Sequence, residues 1–200
     1  IACVKEKKLD IGIAFDGDAD RVLCVDGDGE VVDGDMIMAI LALDMKARDR
    51  LKNNTVVGTI MTNLGFIRFC EANDIRFAAT KVGDRYVLEE MLLEDYAFGG
   101  EQSGHIIFKD FATTGDGQLS AVQLLAHIHR SGKKLAELKT VMTKYPQLIV
   151  NIRTTDAFLL LRCKHLTRMQ IREKVERNTY HHCQHTAQER DPFQYPFIHH

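Results

Sequence analysis

Residues 55–100 read TVVGTIMTNLGFIRFCEANDIRFAATKVGDRYVLEEMLLEDYAFGG. Three short apolar runs, TVVGTI, IRFAAT and YAFGG, are separated by NLGFIRFCEAND and DRYVLEEMLLED, which have the length and spacing of helices. Strands alternating with helices predict an α/β fold: a mixed, mostly parallel sheet flanked by helices, because a parallel neighbour needs a crossover and the crossover helix packs back on the sheet. Towards the N-terminus, DGDMIMAILALDMKARDRL (33–51) carries an apolar stripe of Met36, Ile37, Ile40, Leu41 and Leu43. RVLCVDGDGEVV (21–32) predicts two strands joined by an Asp-Gly turn, and IGIAF (11–15) a buried strand. In such sheets ligands sit at the carboxyl ends of strands, and each polar cluster of this chain follows a strand.

Composition narrows the partner. With 45% hydrophobic and 27% charged residues and a formal net charge of −2, the chain is globular and lacks the basic field that nucleic acid or an anionic membrane would select. A small molecule is the expected partner. There is no apolar run of membrane-spanning length and no signal-peptide layout, so a cytoplasmic location is expected. The five cysteines are scattered, without a C-x-x-C pair, which fits reduced thiols.

The stretch DGDADR (16–21) places Asp16, Asp18 and Asp20 at alternate positions before Arg21. Three carboxylates so close repel one another unless a cation lies among them, and clustered oxygens suit a hard divalent ion. A solvated acidic turn is the plainer alternative. Counted from Asp16, an EF-hand loop needs Gly and Glu where Arg21 and Gly27 stand. A D-x-D-G-T aspartyl-phosphate motif fails at Ala19 and Asp20. The heptapeptide GGEQSGH (99–105) sets Glu101, Ser103 and His105 at alternate positions between glycines, a donor and acceptor set suited to vicinal hydroxyls; a polar hairpin with a surface histidine is the alternative.

Taken in order, DGDADR, KVGDRYV (81–87), GGEQSGH and TTGDG (113–117) resemble the α-D-phosphohexomutase superfamily over about residues 4–153, VDGDMIMAI and YPQLIVNIR included. VGDRYV is most similar to the bacterial phosphoglucosamine mutase branch, as against the phosphomannomutases and phosphoglucomutases. The resemblance implies Mg²⁺ held by Asp16, Asp18 and Asp20, with a phosphoserine as the further ligand. It implies catalytic roles for Arg21 and for Lys81, the latter as a general acid or as a phosphate contact. Glu101, Ser103, His105, Asp84 and Arg85 would bind substrate, a hexosamine phosphate and its bisphosphate intermediate. It also suggests a homodimer for the full-length protein, with neither nucleic acid nor membrane as partner.

The same resemblance divides the chain: residues 1–32 as the end of a second domain with the metal loop, 33–149 as a third domain with the sugar loop, and 150–200 as a strand to about 153 followed by a divergent tail. That tail carries six of the nine histidines and is expected to have little order. Its HHCQH (181–185) lacks the second cluster a zinc site needs. The family's T-A-S-H-N-like serine segment and R-x-S-G-T-E-P-like phosphate loop have no counterpart in the 200 residues, so the chain alone is expected to be inactive or to act only as a sugar-phosphate-binding module.

Overall fold

The computed structural model describes residues 1–150 and 183–186, and the chain divides into two units, Ile1–Tyr145 and Pro146–His200. The first unit opens with helix α1 (Ala2–Lys7) and strands β1 (Ile11–Phe15), β2 (Val22–Asp26) and β3 (Val31–Val32), which form an antiparallel sheet in that order. The β2–β3 turn closes through the second Asp-Gly pair: Gly29 takes φ 81°, and both Asp28 N–H and Glu30 N–H donate to Asp26 Oδ1, at 3.0 and 2.9 Å. Only glycine adopts that φ without a steric penalty. IGIAF forms the expected strand, but it is half-buried to exposed. Among the described residues β1 pairs only with β2, so its other edge carries no strand.

Helix α2 (Gly34–Ala47) follows, with Asp33 Oδ1 capping it by accepting Met36 N–H at 3.1 Å. Instead of one stripe, it buries Ile37, Met38, Ala39, Ile40, Leu41 and Ala42 in succession. A helix apolar on most sides must be surrounded. The surroundings are the antiparallel sheet (Val22, Cys24, Val32) and a second sheet, all in one core.

That second sheet has the order β5-β4-β6-β7, from β4 (Thr55–Thr59), β5 (Arg76–Thr80), β6 (Phe98–Gly100) and β7 (Ile106–Phe108). β4 runs parallel to β5 and β6, while β6 and β7 form an antiparallel hairpin. All five β4 residues are buried, as a central strand covered on both faces requires. Alternate residues then serve opposite layers: Val56, Phe98, Ile106 and Phe108 enter the main core, while Val57 and Ile107 pack with Val87, Met91 and Tyr96. The crossovers are α3 (Leu64–Ala72), capped by Asn63 Oδ1 on Gly65 N–H at 2.9 Å, and α4 (Asp84–Leu93). The expected mixed, mostly parallel sheet is therefore present.

In the first unit α1, β7, α5 (Gly117–Ser131) and α6 (Leu135–Leu138) stand outside the expectations. For α5 the signals are in the sequence, since Asp116 caps its start, Gly132 ends it at φ 67°, and Leu119, Leu124 and Ile128 share the core face.

In the second unit, β8 (Gln147–Val150) pairs antiparallel with β9 (Cys183–Thr186), Gln147 opposite Thr186 and Val150 opposite Cys183. A strand thus stands where little order was expected, its backbone satisfied by β8. The rest of the expected tail lies outside the described residues. No helix among the described residues is long and apolar enough to cross a membrane. Cys24 and Cys70 are free and buried, and burial pushes both thiols up to about 12, which leaves them inert.

Candidate metal and sugar-phosphate site

The DGDADR loop joins β1 to β2, and Asp16, Asp18 and Asp20 each bring a carboxylate oxygen within 4.8 Å of the others. Asp16 and Asp18 are exposed, Asp20 is half-buried. The loop turns at Ala19, whose φ of 59° is unfavourable for a residue with a Cβ. It is held there from outside: Gly117 N–H, at the start of α5, donates to Ala19 O at 3.0 Å, and Val22 N–H donates to Gly104 O at 3.1 Å. Both glycines are steric requirements. A Cβ on Gly117 would lie 2.5 Å from Arg21 O, and one on Gly104, at φ 94°, 2.2 Å from Val22 O.

Arg21 closes the loop. Its N–H donates to Asp16 Oδ1 at 3.2 Å, and its Nε lies 3.7 Å from both Asp16 Oδ2 and Asp20 Oδ1. One guanidinium does not neutralise three carboxylates. Asp20 Oδ1 is shielded from solvent and accepts no hydrogen bond. Clustered hard oxygens, surplus negative charge and an unsatisfied acceptor together fit a divalent cation such as Mg²⁺.

The other expected residues lie on loops after the strands. Residues 101–105 connect β6 to β7, and 81–83 connect β5 to α4. The two loops touch, since Gly83 N–H donates to Glu101 Oε1 at 3.1 Å. Ser103 is exposed, and so are Lys81, Asp84 and Arg85. Lys81 Nζ lies 5.7 Å from the centre of the Tyr86 ring, while Arg85 Nε donates to Glu89 Oε1 at 2.7 Å and so lies along α4.

His105 departs from the expectation. It is 3% exposed, with Nδ1 3.0 Å from Asp20 Oδ2 and Nε2 accepting Gly115 N–H at 3.0 Å. With both ring nitrogens engaged inside the protein, neither is open to a sugar hydroxyl, and the alternative of a surface histidine falls with it. Asp84 Oδ2 approaches Nε2 only to 4.0 Å. TTGDG, present in the sequence without an assigned role, supplies Gly115 against this ring, the Asp116 cap and the Gly117 contact.

Residues 33–145 match the family model described as phosphoglucomutase/phosphomannomutase, alpha/beta/alpha domain III. Among curated proteins, the chain is 57% identical over 153 residues to the phosphoglucosamine mutase of Brevibacillus brevis, covering 76% of this chain and 34% of that protein. It thus spans about a third of that relative's length. Among solved structures, a phosphoglucomutase/phosphomannomutase family protein from Burkholderia thailandensis superposes with TM-score 0.69 at 23% identity, over 84% of this chain and 36% of that one. The Aspergillus fumigatus N-acetylphosphoglucosamine mutase in complex with GlcNAc-6P and magnesium gives TM-score 0.59 at 20% identity, over 74% of this chain and 36% of that one. At these identities the two structures bear on the fold alone.

Proposed function

The chain belongs to the phosphoglucomutase/phosphomannomutase family, and from that premise we propose that it carries the metal loop and the sugar loop of a phosphoglucosamine mutase, which interconverts glucosamine 6-phosphate and glucosamine 1-phosphate. The observation that carries the proposal is the junction of the two loops, where the Asp16–Asp18–Asp20 cluster meets residues 101–105 through the bond from Val22 N–H to Gly104 O. Sequence identity to a phosphoglucosamine mutase favours the hexosamine phosphate over other hexose phosphates.

Phosphoryl transfer asks side chains for positioning and charge more than for covalent chemistry. Asp16, Asp18 and Asp20 would hold Mg²⁺, which neutralises charge on the transferring group. Arg21, already beside two of these carboxylates, adds a fixed cation at the same edge. Glu101 keeps Oε2 for a sugar hydroxyl or amine while Gly83 N–H fixes Oε1, and the exposed Ser103 hydroxyl serves the same ring. Lys81 supplies a proton or a phosphate contact from the facing loop, with Asp84 and Arg85 beside it. Within this proposal residues 1–32 end a second domain and 33–149 form a third.

The test is a chimera in which residues 4–153 replace the matching segment of the Brevibacillus brevis relative. Retained turnover of glucosamine 6-phosphate in preference to mannose or glucose phosphates supports the proposal. A preference for either neutral sugar phosphate would reassign the substrate. Sugar-phosphate binding without turnover would leave only a binding module.

A further inference from the structure

His105 stands where the metal loop and the sugar loop meet, and we propose that it is a positioning residue: its Nδ1–H holds Asp20 Oδ2 and so leaves Oδ1 as the oxygen offered to a divalent cation. This rests on the reading of Asp16, Asp18 and Asp20 as a metal loop. The direction of the hydrogen bonds follows from elementary chemistry. The Gly115 amide can only donate, so Nε2, 3.0 Å away, must present its lone pair. The ring proton then belongs to Nδ1, 3.0 Å from Asp20 Oδ2, and a neutral imidazole donates to the carboxylate. The ring has no room to turn. It is 3% exposed, and a Cβ on Gly115 would fall 2.4 Å from its Cε1 and Nε2, so the backbone of the 113–117 segment lies directly against it.

The consequence appears at the other oxygen. Asp20 Oδ1 is shielded from water and has no hydrogen-bond donor, and Arg21 Nε at 3.7 Å is beyond hydrogen-bonding distance. A carboxylate with one oxygen fixed by a buried imidazole and the other unpaired beside two more carboxylates has the form of an oriented ligand. Such supporting contacts typically change metal affinity 10- to 100-fold. A direct proton-transfer role would need Nε2 free, and Gly115 N–H occupies it.

The two amide side chains separate positioning from packing. The amide nitrogen of asparagine reaches the place of Nδ1, whereas that of glutamine reaches the place of Nε2. Calorimetric titration of the 200-residue chain with Mg²⁺ should show His105→Gln weakened about 10-fold or more and His105→Asn within about threefold of wild type, with thermal midpoints lowered to a similar extent in both. Equal affinity in all three, or equal losses in both variants, would overturn the inference while leaving the metal loop intact. Wild-type binding that is absent, or that Asp18→Asn leaves unchanged, would overturn the metal-loop reading and the positioning role with it. Independently of folding in any variant, ¹⁵N NMR of the wild-type ring should show Nδ1 protonated and Nε2 bare. The opposite tautomer would refute the proposal.

Discussion

Replacing Asp35 with asparagine should alter how stability depends on pH. Asp35, in the first turn of α2, is 0% exposed; its Oδ2 accepts Asn63 N–H at 2.8 Å, while Oδ1 has no partner. Burial, reinforced by the nearby Asp33 carboxylate and opposed by Asn63 N–H and the Lys144 ammonium, pushes its carboxyl from an ordinary 3.8 up to about 7. Between those values the native chain holds a proton that the unfolded chain has released. Stability therefore falls as pH rises from about 4 to about 7, and this group contributes no further change above that. At 1.36 kcal/mol per unit, the loss between about pH 5 and pH 8 integrates to roughly 2.5 kcal/mol. Asparagine keeps the oxygen that accepts Asn63 N–H and has nothing to titrate. Its extra N–H group carries a fixed cost of about 1–2 kcal/mol if unpaired, which cancels when two pH values are compared. Urea unfolding followed by circular dichroism, since the chain has no tryptophan, measures both proteins from pH 5 to 8. The variant should gain on wild type by roughly 2.5 kcal/mol over that range. Parallel profiles would refute the argument, and a variant that loses ground as pH rises would show that Lys144 stabilises a charged Asp35.

Asp18→Asn removes one of three clustered carboxylates and should weaken Mg²⁺ binding about tenfold or more by calorimetry, if ligand charge sets affinity as it does in other oxygen sites; unchanged binding would remove the loop as the site. Lys139 forms an ion pair with the fully buried Asp26, so Lys139→Met should cost about 3–5 kcal/mol by leaving a buried charge unpaired. Against the opposing effect of burial, the Lys139 ammonium holds the Asp26 carboxyl below its ordinary value, so Asp26 stays ionised at pH 4 in the wild type while the unpaired Asp26 of the variant takes up a proton. The cost should therefore shrink towards pH 4, and denaturant unfolding at pH 7 and pH 4 checks both claims. Gly104→Ala forces a Cβ onto Val22 O at a φ of 94°, and a loss of about 2–3 kcal/mol in the same assay is expected. A neutral outcome would mean that the 101–105 loop moves away from β2 without penalty.

Much of the architecture is local and so was legible in the sequence. The period of TVVGTI, NLGFIRFCEAND and IRFAAT sets which backbone conformation buries their apolar side chains, whatever lies opposite. The proximity of Asp16, Asp18 and Asp20 is likewise a property of alternate positions in one short loop. Periodicity tells a residue which way to face but not what it meets, so the remaining features waited for the tertiary structure. The near-complete burial of α2 depends on two sheets closing around it. The ion pair of Asp26 with Lys139 joins residues 113 positions apart, and the buried Asp35 takes its hydrogen bond on Oδ2 from Asn63, 28 positions away, while Oδ1 is left without a partner. His105 shows the limit most clearly. Its spacing after Glu101 and Ser103 matches a hydroxyl-binding loop, but its partner Asp20 lies 85 positions away and Gly115 takes its other nitrogen. Hydrogen-bond partners in a folded chain are chosen by what packs together in space.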